Sequence, residues 1–329
     1  MNIYLESGYL DIEKILSLKM PFTFIVGGRG IGKTFGALQY AVQNHHKFML
    51  MRRTQSQTDL INKPEFSPLK PISAEIRTKP VSKYNAAIIL EDEVLGFTAA
   101  LSTISNMRGF DASDVELLIY DEFIPEKHER PLKHEATAFL NAYETINRNR
   151  ELQGKPPVQV LGLANAMDLA NPIFLDLGII TSLEKMMDRG GNIYIDKKRG
   201  LLVVICSGSP ISKRKNDTAL YRLTRKNEFA RMALENEFAF EEIGIIKPQP
   251  LKEYSKVVTI GEITIYKHKS EKRFYVSEHE SGGGDTFGAG DTEITRFQKK
   301  YWYIWGAYLN YKVLFENYLC QVLFEKYFC

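Results

Sequence analysis

Residues 22–34 read FTFIVGGRGIGKT, and this stretch decides the fold class. FTFIV (22–26) is a short apolar run rich in β-formers. The glycine cluster that follows ends it, and residues from Lys33 to about Asn44 place apolar side chains at helical spacing. A second run, FMLMRR (48–53), completes a β-α-β unit, and the right-handed crossover rule puts both strands in one parallel sheet. Further strands are predicted at AAIILE (86–91), VELLIYD (115–121) and VQVLGLAN (158–165), apolar at nearly every residue as strands covered on both faces are. HEATAFLNAYETINR (134–148) has helical spacing, with Ala138, Leu140, Ala142, Tyr143 and Ile146 available for a buried face.

Within that frame, residues 27–34 fit G-x-x-x-x-G-K-[ST]. Glycines let backbone N–H groups converge on phosphate oxygens, and the next helix adds its positive end. Gly27, Gly28, Arg29, Gly30, Ile31, Gly32, Lys33 and Thr34 are therefore the candidate ATP-binding residues. Lys33 is expected to reach the β- and γ-phosphates, and Thr34 to place its hydroxyl on Mg²⁺. The predicted fold class is α/β: a P-loop NTPase sandwich of the ASCE type, built on a parallel sheet, over residues 1–207.

VELLIYDE ends in Asp121 and Glu122, at the crevice where open α/β sheets bind ligands. Asp121 is expected to join the Mg²⁺ shell. Glu122 is the candidate catalytic base, because hydrolysis needs a group that orients water and accepts its proton. Asn165 lies beside the phosphate loop if its strand runs between those of Gly27 and Asp121. There it could sense the γ-phosphate, or it simply closes a strand into the turn DLANP. Arg108, Arg148 and Arg150 are candidates for completing the site in trans, against the ordinary reading of an arginine as a solvated charge. Arg52 and Arg53 end a strand where either could meet phosphate or nucleic acid. INKPE (61–65) resembles a guanine-reading motif but precedes the Asp121 strand and has Glu65 where Asp belongs, so adenine is the default base.

The 329 residues allow about two domains. With 44% hydrophobic and 25% charged residues the composition is that of an ordinary globular protein, excluding wholesale disorder and a membrane bundle. No stretch reaches the ~18 consecutive apolar residues of a spanning helix, the N-terminus lacks a signal-peptide pattern, and cytosolic residence is expected. Cys206, Cys320 and Cys329 form neither a disulfide framework nor a metal-spaced set, and read as structural thiols. A net charge of +3 diagnoses no nucleic-acid partner by itself, but residues 211–231 carry a local excess of five positive charges.

This basic stretch falls in an expected helical linker, residues 208–245, ahead of a small α+β domain over 246–329. KVVTI, EITIYKH and RFYVSEH read as antiparallel strands with one wet face. SGGGDTFGAGD (281–291) reads as a Gly-rich loop leading to an aromatic helix. Tyr301, Trp302, Tyr303, Trp305 and Tyr308 invite a base-stacking reading, but Trp305, Tyr308, Leu309, Lys312 and Val313 recur at helical spacing and are better explained by packing on the small sheet.

Together GGRGIGKT, MRR (51–53), IYDEFIPEK (119–127), NRNRE (147–151) and LANAMDLANPIF (163–174), in that order, resemble the DNA encapsidation ATPases of small tailed phages, the phi-twenty-nine type of genome-packaging motor. The resemblance covers the first ~200 residues. It implies an ATPase that forms a ring, usually a pentamer, at a prohead portal in the host cytoplasm, and drives double-stranded DNA through its pore, docked in some cases through a scaffold RNA. It makes Glu122 the catalytic glutamate, Arg148 an arginine finger acting in trans, and Arg108 a second residue acting across the interface. The family's C-terminal domain is similar to an RNase H-type nuclease that has lost its catalytic acids. Here the tail offers only Asp285 and Asp291 on the Gly-rich loop, so no cleavage is expected. A non-motor ATPase switch, of the helicase-loader or partitioning type, and a nucleotide-binding subunit without turnover are the alternatives.

Overall fold

The computed structural model describes residues 1–107, 111–125, 132, 134–165, 169, 171–206, 209–215, 218–223 and 246–328. Two compact units divide the chain, Met1–Phe238 and Ala239–Cys329.

In the first unit nine strands form one sheet: β1 (Phe22–Gly27), β2 (Phe48–Arg52), β3 (Arg77–Pro80), β4 (Ala86–Leu90), β5 (Glu93–Ala100), β6 (Leu117–Asp121), β7 (Gln159–Asn165), β8 (Ile193–Asp196) and β9 (Leu201–Cys206). Their order is β3-β4-β5-β2-β6-β7-β1-β9-β8. From β5 to β9 neighbours run parallel. The sheet is nevertheless mixed, because β4 pairs antiparallel with both β3 and β5, and β8 with β9. The predicted strand over 86–91 is thus real but not parallel. Only Glu91, at φ 53°, and Asp92 separate β4 from β5, whereas a parallel neighbour needs a crossover of about a dozen residues.

The central strands are buried on both faces, as their apolar runs require. Alternate residues of β1 supply the two cores. Ile25 faces a cluster with Ala37, Leu38 and Ala41 from the helix Lys33–Gln43. Phe24 faces the other way, where its ring lies edge-on to Phe123, Phe139 and Phe174 at centroid distances of 5.2, 6.1 and 5.4 Å. That ring occupies the space over its register partner Gly162, where a Cβ would come within 2.3 Å of it.

The predicted helix forms as Glu135–Asn147, but its buried face is displaced from the expected one. Ala136, Phe139, Ala142 and Ile146 are buried, whereas Leu140 is exposed and Ala138 and Tyr143 are only partly covered. Phe139 sets the rotation, because it stacks on Tyr120 of β6 at 5.6 Å.

The second unit carries β10 (Tyr254–Ile260), β11 (Ile263–His268), β12 (Phe274–Ser277), β13 (Asp285–Phe287) and β14 (Val313–Phe315), in the order β13-β10-β11-β12-β14. The central three are antiparallel as predicted, with the edge strands parallel to their neighbours. Neither face is simply wet. One packs on the helices Asp291–Tyr308 and Tyr318–Phe328, and the other buries Tyr254, Tyr266 and Tyr275. Asp285 lies on β13 rather than in a loop, accepting hydrogen bonds from Lys300 and Tyr301. The aromatic stretch is not one helix. Tyr311, at φ 55°, turns the chain so that Val313 joins β14 beside Phe274, leaving Lys312 and Val313 outside the helix. Trp305 packs on Phe324 and Phe328, consistent with a packing role, while Trp302 and Tyr303 stay exposed.

Cys206 and Cys320 are free and buried, and burial pushes both thiols up to about 12. Among the described residues no helix is long and apolar enough to cross a membrane.

The displaced helix face has a measurable consequence. Phe139→Ala should destabilise the first unit by about 3–5 kcal/mol in urea unfolding followed by circular dichroism, the usual cost of emptying a core aromatic site. Leu140→Ala should stay within about 0.5 kcal/mol of the parent. Comparable losses for both would return the buried face to the position the spacing suggested.

Candidate functional site

Three neighbouring strands end together. In the register of β6, β7 and β1, Gly27 lies opposite Asn165, and Asp121 lies opposite Leu163. Asn165 therefore stands between the phosphate-loop strand and the acidic strand, the order its candidate role required.

The loop after Gly27 turns through Gly30 at φ 68° and Gly32 at φ 89°, conformations that glycine adopts without the strain of a side chain. Lys33 and Thr34 then open the helix. Lys33 is 7% exposed, and its Nζ donates to the carbonyls of Gly27 at 2.8 Å and Gly28 at 2.7 Å and to Asn165 Oδ1 at 3.3 Å. Burial lowers its ammonium to about 8, and the like charge of Lys215 pushes the same way while Asp121 opposes. Thr34 Oγ1 donates to both carboxylate oxygens of Asp121, at 2.9 and 3.1 Å. Burial also raises the Asp121 carboxyl, against the pull of Arg52.

Arg52 is the residue whose part in the site sequence reasoning missed. It ends β2, the neighbour of β6, and its guanidinium spans both acids: Nη2 lies 2.7 Å from Asp121 Oδ2, and Nη1 pairs with Glu122. Only the strand order, with β2 beside β6, could have signalled this. Arg52 Nε is buried without a hydrogen-bond partner among the described residues. Glu122 itself is half-exposed and sits at φ 58°, a left-handed conformation that is costly for a non-glycine residue and is concentrated at functional positions. Arg53 is internal instead, with its Nε 2.6 Å from Glu135 Oε1.

A cavity of about 340 Å³ opens over these groups, lined among others by Gly30, Lys33, Thr34, Asp121, Glu122 and Asn165. It can hold a phosphate chain against loop and lysine. A hydroxyl hydrogen-bonded to a carboxylate at its wall is a hard oxygen pair that fits Mg²⁺, which takes few protein ligands and completes its shell with phosphate and water.

The two arginines of NRNRE separate clearly. Arg150 is buried and donates to the carbonyls of Ser113, Val115 and Pro156, at 2.8, 3.0 and 3.0 Å. Arg148 closes the helix Glu135–Asn147 at φ 42°, with its side chain 42% exposed and Nη1 3.8 Å from Asp111. It does not line the cavity of its own chain. Arg108 lies outside the described residues.

Arg150→Ala should therefore cost about 1.5–3 kcal/mol, since three carbonyls lose a charged donor, and should lower the melting temperature by several degrees. Arg148→Ala should leave the melting temperature essentially where it was. An Arg148 variant that melts as early as the Arg150 variant would contradict this division.

Comparison with known proteins agrees with the geometry. The sequence pattern of a family described as Podovirus DNA encapsidation protein (Gp16) matches residues 5–279. The DNA packaging protein of Bacillus phage phi29 is 26% identical over 242 residues, spanning 71% of this chain and 67% of that protein, and that of Bacillus phage PZA matches equally. Among solved structures, the bacteriophage Phi-29 viral genome packaging motor assembly is similar with a TM-score of 0.69 at 18% identity, covering 99% of both chains. The Phi-28 gp11 DNA packaging motor is similar with a TM-score of 0.64 at 20% identity, covering 96% of both. At these identities the structural likeness speaks for the fold.

Proposed function

The chain belongs to the podovirus DNA encapsidation protein family, and from that premise we propose that it hydrolyses ATP to drive double-stranded DNA into a prohead. The observation that carries the reading is the convergence of Lys33, Thr34, Asp121, Glu122 and Asn165 on one cavity at the carboxyl ends of β1, β6 and β7. Family membership favours a packaging motor over the helicase-loader, partitioning and non-hydrolysing alternatives.

In this reading Lys33 exchanges the Gly27 and Gly28 carbonyls for the β- and γ-phosphates. Thr34 and Asp121 hold Mg²⁺, which when bound neutralises charge on the phosphate oxygens. Glu122 orients the attacking water and accepts its proton, for which it must leave its ion pair with Arg52. Asn165, already bonded to Lys33, registers the γ-phosphate.

The site lacks a cation facing the far side of the transferred phosphoryl group. Arg148 is exposed, away from its own cavity and not needed for packing, as a residue serving a neighbouring subunit must be. We assign it the finger role in a ring, pentameric as the resemblance implies, with Arg108 as a second residue of the same interface. The basic segment 208–245 is assigned to linking the two units, and the prohead portal, directly or through a scaffold RNA, is the docking partner.

Mixed rings test this arrangement. Arg148→Ala and Glu122→Gln subunits should each retain ATP binding and lose turnover, by about 10³- to 10⁵-fold for the finger. Co-assembled mixtures should regain part of the activity, at interfaces that pair an intact Glu122 with an intact Arg148. Mixtures that co-assemble yet stay inactive would remove Arg148 from the trans role.

A further inference from the structure

We propose that Lys215 is a second phosphate-binding lysine of the nucleotide site, delivered to the phosphate loop by the segment that follows β9. The inference rests on the nucleotide reading of the cavity and adds to it a residue from outside the loop motif.

Lys215 ends the short helix Pro210–Lys215, 186 positions away from the loop in sequence. Its Nζ donates to the carbonyl of Arg29 at 2.7 Å. A Cβ at position 30 would stand 2.2 Å from that ammonium, so Gly30 meets two demands at once: a φ of 68° and room for the lysine. The helix is seated rather than loosely tethered. Ser209 Oγ donates to the carbonyl of Gly8 at 3.1 Å in a buried contact, Ile211 joins the core below the loop, and Ser212 is 2% exposed.

The charges around the loop make this placement informative. Lys33 and Lys215 together donate to three consecutive carbonyls, of Gly27, Gly28 and Arg29. Meanwhile the nearby carboxylates Asp121 and Glu122 are engaged by Arg52. Partial burial lowers the Lys215 ammonium, and its charge acts unfavourably on Lys33. Holding two ammonium groups along one short loop costs free energy that neutral carbonyls offset only in part; a multiply charged anion offsets it better, through charge-assisted hydrogen bonds. A triphosphate carries more charge than a diphosphate at the end that Lys33 serves. Lys215, one carbonyl further along the same loop, should therefore discriminate in favour of ATP.

Fluorescent ATP and ADP analogues, titrated against the full chain with Mg²⁺, test this with Lys215→Gln, Lys215→Arg and Lys33→Ala. Lys215→Gln should weaken ATP binding about tenfold, equivalent to 1.4 kcal/mol, and ADP binding by about threefold or less. Lys215→Arg should restore most of the loss, and the melting temperature without nucleotide should stay unchanged in both. Unaltered ATP affinity in Lys215→Gln, alongside binding lost in Lys33→Ala, would overturn the role of Lys215 while keeping the nucleotide site. Equal weakening of ATP and ADP with an early melt and no rescue by arginine would make Lys215 a structural clip. Full ATP binding by Lys33→Ala would refute the nucleotide reading itself, and this inference with it.

Discussion

A lysine ammonium enclosed by protein has to find acceptors, and most of the first unit's architecture can be understood from how Lys33 finds them. Its three donors reach two loop carbonyls and the Asn165 side chain, and each acceptor is placed by a strand end. β1 must stop at Gly27 for the loop to begin, and β7 must lie directly beside it for Asn165 to be level with Gly27. The next neighbour, β6, then delivers Asp121 to Thr34, the residue after Lys33. One buried charge thus depends on the order and register of three strands, which in turn are fixed by the apolar cores on their two faces.

Those contacts describe a site whose charged groups are satisfied from within. Lys33 rests on carbonyls, Thr34 on Asp121, and Arg52 on both acids. Each pairing involves a group that a phosphate chain or Mg²⁺ could engage instead, so ligand binding is an exchange of partners more than a creation of new ones. Such exchange costs little reorganisation of the backbone. The NRNRE turn shows how a single residue separates two tasks: with Arg148 and Asn149 both left-handed, Arg150 enters the interior while Arg148 remains at the surface.

Much of this was legible in the sequence, for physical reasons. Strong apolar periodicity located β1, β2, β6, β7 and the helix Glu135–Asn147, and the glycine-lysine-threonine spacing identified the loop because phosphate chemistry allows few alternatives there. Features that depend on neighbours in space were not legible. The antiparallel pairing of β4 follows from a two-residue connection, and the rotation of the helix Glu135–Asn147 follows from one ring meeting Tyr120. β3, β5, β8 and β9 were unassigned, three of them lying among the sheet's edge pairings. Arg52 and Lys215 reach the site through strand order and a long-range contact, neither of which spacing encodes.

The account turns on the claim that the Lys33 cavity holds the terminal phosphates of ATP. A structure of the chain with Mg²⁺ and a non-hydrolysable ATP analogue tests it most directly. The account predicts the terminal phosphates inside the 27–34 loop, Lys33 turned from the Gly27 and Gly28 carbonyls onto them, and Thr34 and Asp121 both on the metal. An analogue bound elsewhere, with Lys33 still on its carbonyls and Thr34 still on Asp121, would contradict it.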